Sequence, residues 1–141
     1  MSKPYIDRVW FKELRYIHSN LAAPHSWEEV TESVLASSQY GVIRDGDGTV
    51  LALWGRVPHP EDPEWCGLWI MLTKAMRKRT VWFFRNAKEL IQYGIGDYPN
   101  ALVRYRKSDR DLTRWLEYGG FRYYASWKHK GEDWVEYHLE R

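Results

Sequence analysis

Cysteine is almost absent from this chain of 141 residues, which contains a single one, Cys66. One thiol cannot form an internal disulfide, so a disulfide-stabilised fold is excluded. The chain also lacks a long apolar run and an N-terminal signal-peptide pattern, which predicts a soluble protein made in a reducing compartment, with no membrane segment. We expect Cys66 to be a small buried thiol rather than a nucleophile, because the sequence assigns no activating histidine to it.

Motifs of several enzyme classes are also missing. The chain has no Gly-x-Ser-x-Gly nucleophile turn, no Walker loop and no dinucleotide-binding fingerprint, so hydrolase and nucleoside-triphosphatase functions have no support. Asp45 and Asp47 do not begin a calcium loop, because Val50 and Arg56 stand where glycine and glutamate are needed. The five histidines are far apart and none has a metal-ligand partner at the usual spacing: His18, His25, His59, His129 and His138. We therefore expect no metal site.

Aromatic residues, by contrast, are abundant, with nine tryptophans and ten tyrosines, and hydrophobic residues make up 44% of the chain. This length and composition fit one domain, residues 1–141, with a sizeable core in which most aromatic residues are structural. The formal net charge is only +2, so overall charge does not require nucleic acid as a partner.

Hydrophobic periodicity predicts an α+β fold with a central, mostly antiparallel mixed sheet and about four helices. Helical spacing predicts a first helix from about Tyr5 to Asn20. Before it the chain has the segment Met1 to Pro4, which is very short for a β-strand. Ser26 and Glu29 read as a capping box for a second helix. The predicted strands are 39–44, 49–57, 65–73, 101–106, 123–129 and 134–140, with a third helix at 80–93 and a fourth at 109–119. The strand at 65–73 is almost continuously apolar, which is typical of a central strand covered on both faces.

The most informative stretch is DRDLTRWLEYGGF, residues 109–121. Its leucines and tryptophan recur at steps of three and four, which gives a helix one apolar face. Ser108 and Asp111 read as a capping box at the start, and two glycines provide a helix stop before an aromatic strand. With a strand before it and a hairpin after it, the C-terminal third has the order β-α-β-β.

This order, together with four segments in series, resembles the GNAT superfamily of N-acetyltransferases. The segments are WIMLT at 69–73, WFFRNAKELI at 82–91, YPNALVRY at 98–105 and RWLEYGGF at 114–121. Over residues 39–141 the series looks like the small GNAT-like proteins of short-tailed phages, some of which are internal virion proteins. The resemblance implies a single GNAT-like domain with acetyl-CoA as its cofactor, located in the host cytoplasm or in the virion.

The resemblance also implies where that cofactor would bind. In the superfamily, a glycine-containing loop after the central strand holds the pyrophosphate on main-chain N–H groups, whereas the equivalent loop here, residues 74–80, has no glycine. Its cations and its hydroxyl are the candidate phosphate ligands, namely Arg77, Lys78, Arg79 and Thr80. A main-chain N–H near Met71, Leu72 or Thr73 would stabilise the oxyanion of the transferred acyl group.

Two positions depart from the superfamily pattern. Asp109 stands where an asparagine commonly lies near the pantetheine arm, and Leu116 stands where a tyrosine often protonates the leaving thiolate. The carboxylate of Asp109 lacks the two N–H donors of an asparagine amide, and the side chain of Leu116 has no proton to give. Tyr105, Tyr118 and Tyr123 are the alternative phenols, but tyrosine is so frequent in this chain that none is assigned as the acid, and the catalytic residues stay unknown.

Three functions remain open. The glycine-free loop, Asp109 and Leu116 favour a phage accessory or virion-associated protein with a degenerate cofactor site, which acts by binding phage structural proteins or host proteins. An acetyl-CoA-dependent N-acyltransferase is the first alternative. A nucleic-acid-binding module is the second, motivated by basic residues at 74–79 and 104–114 and disfavoured by the acidic residues on the same helix.

Overall fold

The computed structural model describes residues 3–141, and its centre is a seven-stranded sheet. The strands are β1 Tyr5–Asp7, β2 Gln39–Arg44, β3 Val50–Pro58, β4 Trp65–Leu72, β5 Asn100–Arg106, β6 Arg122–His129 and β7 Glu132–Glu140. Their order across the sheet is β1-β2-β3-β4-β5-β7-β6. Among the strands of residues 3–141 only β4 and β5 pair in parallel, so the predicted α+β fold with a mixed, mostly antiparallel sheet is confirmed.

Five α-helices and one 3-10 helix connect these strands in the described range. They are α1 Phe11–Ser19, α2 Trp27–Ala36, the 3-10 helix Lys74–Arg79, α3 Thr80–Arg85, α4 Ala87–Ile95 and α5 Arg110–Tyr118. α1 and α2 share a core with Met71 of β4, whereas α3, α4 and α5 share a larger core with Ile70 and Leu72. Successive residues of a strand point to opposite faces, so β4 is covered on both sides as its apolar sequence predicts.

The N-terminal helix is shorter than its periodicity predicts. Residues Tyr5–Asp7 form a strand that pairs antiparallel with Val42–Arg44 of β2, and α1 begins only at Phe11. The prediction of a helix from Tyr5 was wrong, because so short an apolar stretch suits a helix turn and a sheet edge equally well, and the open edge of β2 decides. Of the segment predicted to be too short for a strand, Met1 and Ser2 lie outside the described residues.

The single helix predicted for residues 80–93 is two helices. α3 ends at Arg85 and α4 begins at Ala87, with Asn86 between them. The Asn86 side-chain amide donates to the main-chain carbonyl of Trp82 (2.8 Å), so a local side-chain bond competes with continued helix and ends α3. The loop predicted after β4 is also ordered, as the 3-10 helix.

The two predicted helix caps have different outcomes. At α2 the cap is confirmed, because Ser26 Oγ accepts from the main-chain N–H of Glu29 (3.0 Å). At α5 the cap is Asp109 and not Ser108, since the Asp109 carboxylate accepts from the N–H of Leu112 (3.3 Å). Helix α5 therefore begins with an acidic side chain at its positive end.

β4 and β5 separate partway along their length. Their parallel pairing begins at Trp65 and Asn100 and, in the described chain, ends at Leu68 and Val103, although both strands continue. We call the gap beyond this last pair the splay.

The far end of β4 pairs with the link between α1 and α2. The N–H of Ala22 donates to the carbonyl of Leu72 (2.9 Å), and the N–H of Lys74 donates to the carbonyl of Asn20 (2.8 Å). The link thus closes the end of the splay and holds the residues before α2 beside β4.

Candidate active site

A cavity of about 220 Å³ opens in the splay. It is lined by residues from β4 (69–71), β5 (103–106), the start of α5 (108, 109 and 112), the link and α2 (23–25, 29, 32 and 33), and by Trp134 of β7. This volume is below the range typical of pockets for whole drug-sized ligands, and it suits the reacting end of a longer one. The cavity therefore lies where β4 and β5 have ceased to pair.

The unpaired edge of β4 presents main-chain groups to this cavity. The N–H of Thr73 donates to Leu51 of β3 (3.0 Å), and main-chain groups alternate sides along a strand. The N–H and C=O of Ile70 and of Leu72 therefore point toward β5, whereas those of Met71 and Thr73 point toward β3. Since the Leu72 carbonyl is bonded to Ala22, Ile70, which the sequence did not single out, is the residue whose N–H best faces the splay.

Trp69 forms part of the cavity wall because a glycine makes room for it. A Cβ on Gly55 would lie 2.3 Å from atoms of the Trp69 indole, so only glycine at this position of β3 lets the ring lie flat on the sheet. The indole N–H donates to Ser37 Oγ at the end of α2 (2.7 Å). The position of this wall is therefore fixed from two sides.

A charged cluster at the cavity joins α2 to β5 and β7. Arg106 donates through Nη2 and Nη1 to the two carboxylate oxygens of Glu29 (2.9 and 3.0 Å), and through Nε to Glu132. The Arg106 guanidinium also lies over the Trp134 ring, 5.0 Å from its centroid. Chiefly because of the Arg106 hydrogen bonds, the pKa of Glu29 falls from 4.5 to about 2, so Glu29 is a carboxylate at neutral pH.

His25 completes this cluster from the end of the α1–α2 link. Its Nδ1 lies 3.2 Å from Glu29 Oε2, and its main-chain carbonyl accepts from His18 Nε2 (2.7 Å). The buried His25 Nε2 has no hydrogen-bond partner among residues 3–141, and the same is true of the buried Trp134 Nε1. Two unpartnered polar atoms from residues that line one cavity indicate a ligand site, since buried polar groups are normally bonded.

Asp109 lies where the cavity meets the start of α5. Burial raises the pKa of its carboxyl, and the neighbouring Asp111 charge acts in the same direction. The hydrogen bond from Leu112 opposes this shift by favouring the charged form. Asp109 therefore lines the cavity as the cap of α5, and its negative charge is less stable than that of an exposed aspartate.

The position of the family's acid and the three candidate tyrosines lie in different surroundings. Leu116 is fully buried in the core under α5 and offers no polar group there. Tyr118 and Tyr123 are more than half exposed and do not line the cavity. Tyr105 lines the cavity and shares a hydrogen bond with Thr113 Oγ1 (2.7 Å), while burial raises the pKa of its hydroxyl.

Three of the four predicted phosphate ligands bond to other residues of the chain. Arg79 forms ion pairs with Asp45 (2.5 Å) and Asp47 (3.0 Å) of the turn between β2 and β3. Arg77 pairs with Asp111 of α5 (3.3 Å), but its side chain is 61% exposed. The hydroxyl of Thr80 donates to the carbonyl of Arg77 (2.9 Å). Of the predicted phosphate ligands, Arg77 and Lys78 are therefore the cations that face solvent.

Two grooves lie along α5, and the first of them is continuous with the cavity. The first, of about 420 Å³, shares Ser108 and Asp109 with the cavity and reaches Arg77. The second, of about 510 Å³, lies one turn further along, between α3 and α5. It contains three exposed cations, Arg85, Lys88 and Arg114, beside the rings of Phe84 and Tyr118. An extended anionic ligand could follow this path from the cavity to the basic groove.

Other sequence expectations concern the rest of the described chain. Cys66 is buried, and burial raises the pKa of its thiol to about 11, so the prediction of a buried, unreactive thiol is confirmed. In residues 3–141 no group of three or more histidine, cysteine, aspartate or glutamate side chains is placed to hold a metal ion. No helix in that range combines the length and the apolar character needed to cross a membrane.

Comparison of this fold with known proteins shows what it is similar to. No protein-family model and no curated protein matches the sequence. Among solved structures, AAC(6')-Ib in complex with paromomycin and acetyl-CoA has a TM-score of 0.72 at 14% identity, over 99% of this chain and 94% of that one. A chimera of the spermidine N-acetyltransferase SpeG from Vibrio cholerae has a TM-score of 0.70 at 12% identity, over 99% and 96%. A ribosomal-protein alanine N-acetyltransferase from Escherichia coli has a TM-score of 0.62 at 15% identity, over 97% and 93%.

The likenesses extend over nearly the whole of both chains, so the fold is that of the GNAT N-acetyltransferases. At such low identity they show the fold and not the chemistry. They also carry no support for the finer resemblance to phage proteins.

Proposed function

We propose that this protein is an N-acyltransferase, which moves an acyl group from a coenzyme A thioester to an amine in the splay. The cavity between β4 and β5 carries the proposal, because it brings an unpaired strand edge together with two unpartnered polar atoms. A structural gap that served only packing would be filled by apolar side chains rather than lined by such groups. The overall likeness to N-acetyltransferases, one of them with acetyl-CoA bound, gives independent support.

The residues present fit coenzyme A at its acyl end better than at its phosphates. Ile70 on β4 and Asp109 on α5 would flank the acyl end and the arm, and the thioester would supply an activated carbonyl there. The phosphates would meet side-chain cations instead of a glycine cradle, beginning with Arg77 and continuing in the groove between α3 and α5. Flexible, solvated cations hold phosphate less firmly than fixed main-chain N–H groups, so we expect a Kd weaker than about 100 μM, or less than about 5.5 kcal/mol of binding free energy.

Each residue of the site would have a separate task in this reaction. The Ile70 N–H faces the place where negative charge develops on the carbonyl oxygen, and a fixed donor there lowers the barrier. The charges of Glu29 and Arg106 fix the opposite wall, and the walls formed by Trp69 and Leu112 limit access of water. No residue is assigned as the acid that protonates the leaving thiolate, because the family position is occupied by the buried Leu116.

A titration of nitrogen-15-labelled protein with acetyl-CoA tests the proposal. We expect chemical-shift changes at Ile70, Val103 and Asp109 on raising acetyl-CoA to about 1 mM, ten times the expected limit on Kd. Replacement of Lys88 and Arg114 by alanine should weaken binding by about threefold to tenfold, since each exposed charge contributes at most about 1 kcal/mol. The matched control replaces Lys128 and Lys130, exposed cations of the β6–β7 hairpin, and should leave the Kd unchanged. Shifts confined to other surfaces, or none at all, would refute the proposal.

The second candidate function is the one that the sequence favoured, a phage accessory or virion-associated protein that acts by binding phage structural or host proteins. The observation in its favour is the 3-10 helix, which lacks glycine and whose Arg79 is bonded to Asp45 and Asp47 instead of facing a ligand. A protein that no longer needs coenzyme A can use the phosphate loop for packing. The same titration distinguishes the two functions, since this candidate predicts no shifts in the splay.

Nucleic-acid binding is the third candidate and the least supported. Two arginines of its proposed basic surface are already paired, Arg104 with Glu136 and Arg106 with Glu29 and Glu132. Paired cations release fewer counterions from a phosphate backbone.

A further inference from the structure

The hydrogen bonds around His25 determine which of its ring nitrogens carries the proton. Glu29 is ionised and can only accept hydrogen bonds, so the hydrogen between it and His25 Nδ1 (3.2 Å) must belong to the histidine. In the neutral ring the second nitrogen, Nε2, then carries a lone pair and no hydrogen. That nitrogen is the buried atom that has no partner in residues 3–141.

The ring is held in this orientation by three elements of the fold. Arg106 of β5 fixes Glu29 with two hydrogen bonds, His18 of α1 bonds the His25 carbonyl, and Ser26 caps α2 directly after His25. The His25 side chain is only 15% exposed and lines the cavity in the splay. A carboxylate that orients a neutral imidazole, with the other nitrogen buried and unbonded in a residue that lines a cavity, is the arrangement of a general base that an acceptor amine reaches when the ring moves slightly toward it.

We propose that His25 Nε2 removes a proton from the ammonium group of the acceptor amine, with Glu29 and Arg106 as positioning residues. The inference rests on the proposed acyl transfer, because only a neutral amine can attack a carbonyl. One proton passes from the acceptor nitrogen to Nε2, the amine keeps the electron pair of the broken N–H bond, and nothing is oxidised or reduced. The resulting imidazolium donates one N–H to Glu29, whose negative charge stabilises it.

Charged groups from every neighbouring element act on this proton transfer. The charged groups that face the ring are Glu29 of α2, Asp109 at the start of α5 and Arg106 of β5, which holds Glu29. His18 of α1 contacts the main chain of His25 and donates its Nε2 hydrogen there. In acid, protonation of His25 removes the lone pair, so the rate of transfer should fall as the pH is lowered.

The experiment combines a histidine measurement with acyl transfer. Nitrogen-15 spectra of the imidazole rings in the full chain should show the neutral form of His25 with hydrogen on Nδ1 and none on Nε2. Release of thiol from acetyl-CoA is then measured against pH with butylamine, phenethylamine and putrescine as acceptor probes. We expect His25→Gln to reduce the rate by about a hundredfold or more and to abolish its fall in acid, with an unchanged Kd for acetyl-CoA. His129→Gln, the same change at an exposed position of β6, should have no effect.

The outcomes separate this inference from the function on which it rests. Hydrogen on Nε2 of the neutral ring, or a His25→Gln variant as active as the wild type, overturns the role of His25 and leaves the acyl transfer intact. A wild-type protein that neither binds acetyl-CoA nor releases thiol with any of the three amines overturns both. A folded His25→Gln variant that loses affinity for acetyl-CoA as strongly as it loses rate shows a structural role and also overturns the inference.

Discussion

Arg79 and Arg106 are each held by two carboxylates, as Arg44 is by Asp7 and Glu13, but the surroundings of the first two clusters differ. Arg79 in the 3-10 helix is paired with Asp45 and Asp47, and Arg106 on β5 is paired with Glu29 and Glu132. Both arginine side chains are 22% exposed. Around Arg79 the nearly buried partner, Asp45, belongs to a turn, and the cluster fastens the 3-10 helix to the β2–β3 hairpin.

Around Arg106 the carboxylate that accepts its two hydrogen bonds, Glu29, is also bonded to His25, which faces a cavity. Under the proposed function, the same pairing therefore has a packing role at the phosphate end of the site and an orienting role at the acyl end. We infer that the acyl end has kept what a reaction needs, whereas the phosphate end depends on exposed side chains for its hold on a ligand.

Removal of Arg106 should have the largest effect on activity. In Arg106→Ala, Glu29 loses both of its strongest donors and His25 loses its fixed orientation, so we expect thiol release from acetyl-CoA to fall by about a hundredfold. The Kd for acetyl-CoA should change by less than about threefold, because Arg106 lies on the acceptor side of the cavity. Arg122→Ala, at an exposed position of β6, is the control and should behave as the wild type. A rate that survives the loss of Arg106 would remove the distinction between the two clusters.

Removal of Arg79 should have the opposite pattern. In Arg79→Ala, the carboxylate of Asp45, whose side chain is 4% exposed, loses its ion-pair partner, so the midpoint of thermal unfolding should fall by several degrees. The Kd for acetyl-CoA should stay nearly constant, since Arg79 is directed at the hairpin. Arg77→Ala provides the matched comparison, because its exposed pair with Asp111 contributes little to stability and its charge faces the groove. If Arg79→Ala weakens acetyl-CoA binding more than Arg77→Ala does, Arg79 contacts the ligand and the packing role of its cluster is wrong.

Sequence patterns predicted the sheet well because the strands carry local signals. β2 is Gln39–Arg44 as predicted, and β4 begins at Trp65, where a proline-rich loop ends and a continuous apolar run starts. Turn residues set these limits, and alternation sets the faces. The errors fall where two local signals compete, as at β1, where a strand and a helix share one pattern, and at Asn86, where a side-chain bond interrupts α3.

The site was less predictable, because its geometry depends on contacts between distant parts of the chain. Glu29 and Arg106 are 77 residues apart, and nothing near either one in the sequence indicates their pairing. The sequence marks Glu29 only as half of a capping box with Ser26, and His25 lies before that cap, outside the helix, so helical spacing does not connect the two residues. Likewise, the direction of the Ile70 N–H follows from the register of β3 and β4, which no residue of β4 encodes by itself.

The smallest expected effect is on stability in acid, and it concerns Glu29. The pKa of Glu29 is about 2 in the folded protein, against an ordinary value of 4.5 for a glutamate without these contacts. The folded state therefore favours the charged form. The stabilisation is complete above about pH 4.5 and is lost as the pH falls toward about 2. Because the Glu29 side chain is 35% exposed, solvent screening limits the contribution to about 1 kcal/mol.

Glu29→Gln should therefore unfold in urea about 1 kcal/mol more easily than the wild type near pH 7, and equally easily near pH 2. Glu28→Gln, at an exposed position of α2, is the control and should show no such pH-dependent difference. A difference that persists unchanged in acid would mean that Glu29 acts through packing and not through its charge, and the orienting role of the Arg106 cluster would then lack its electrostatic basis.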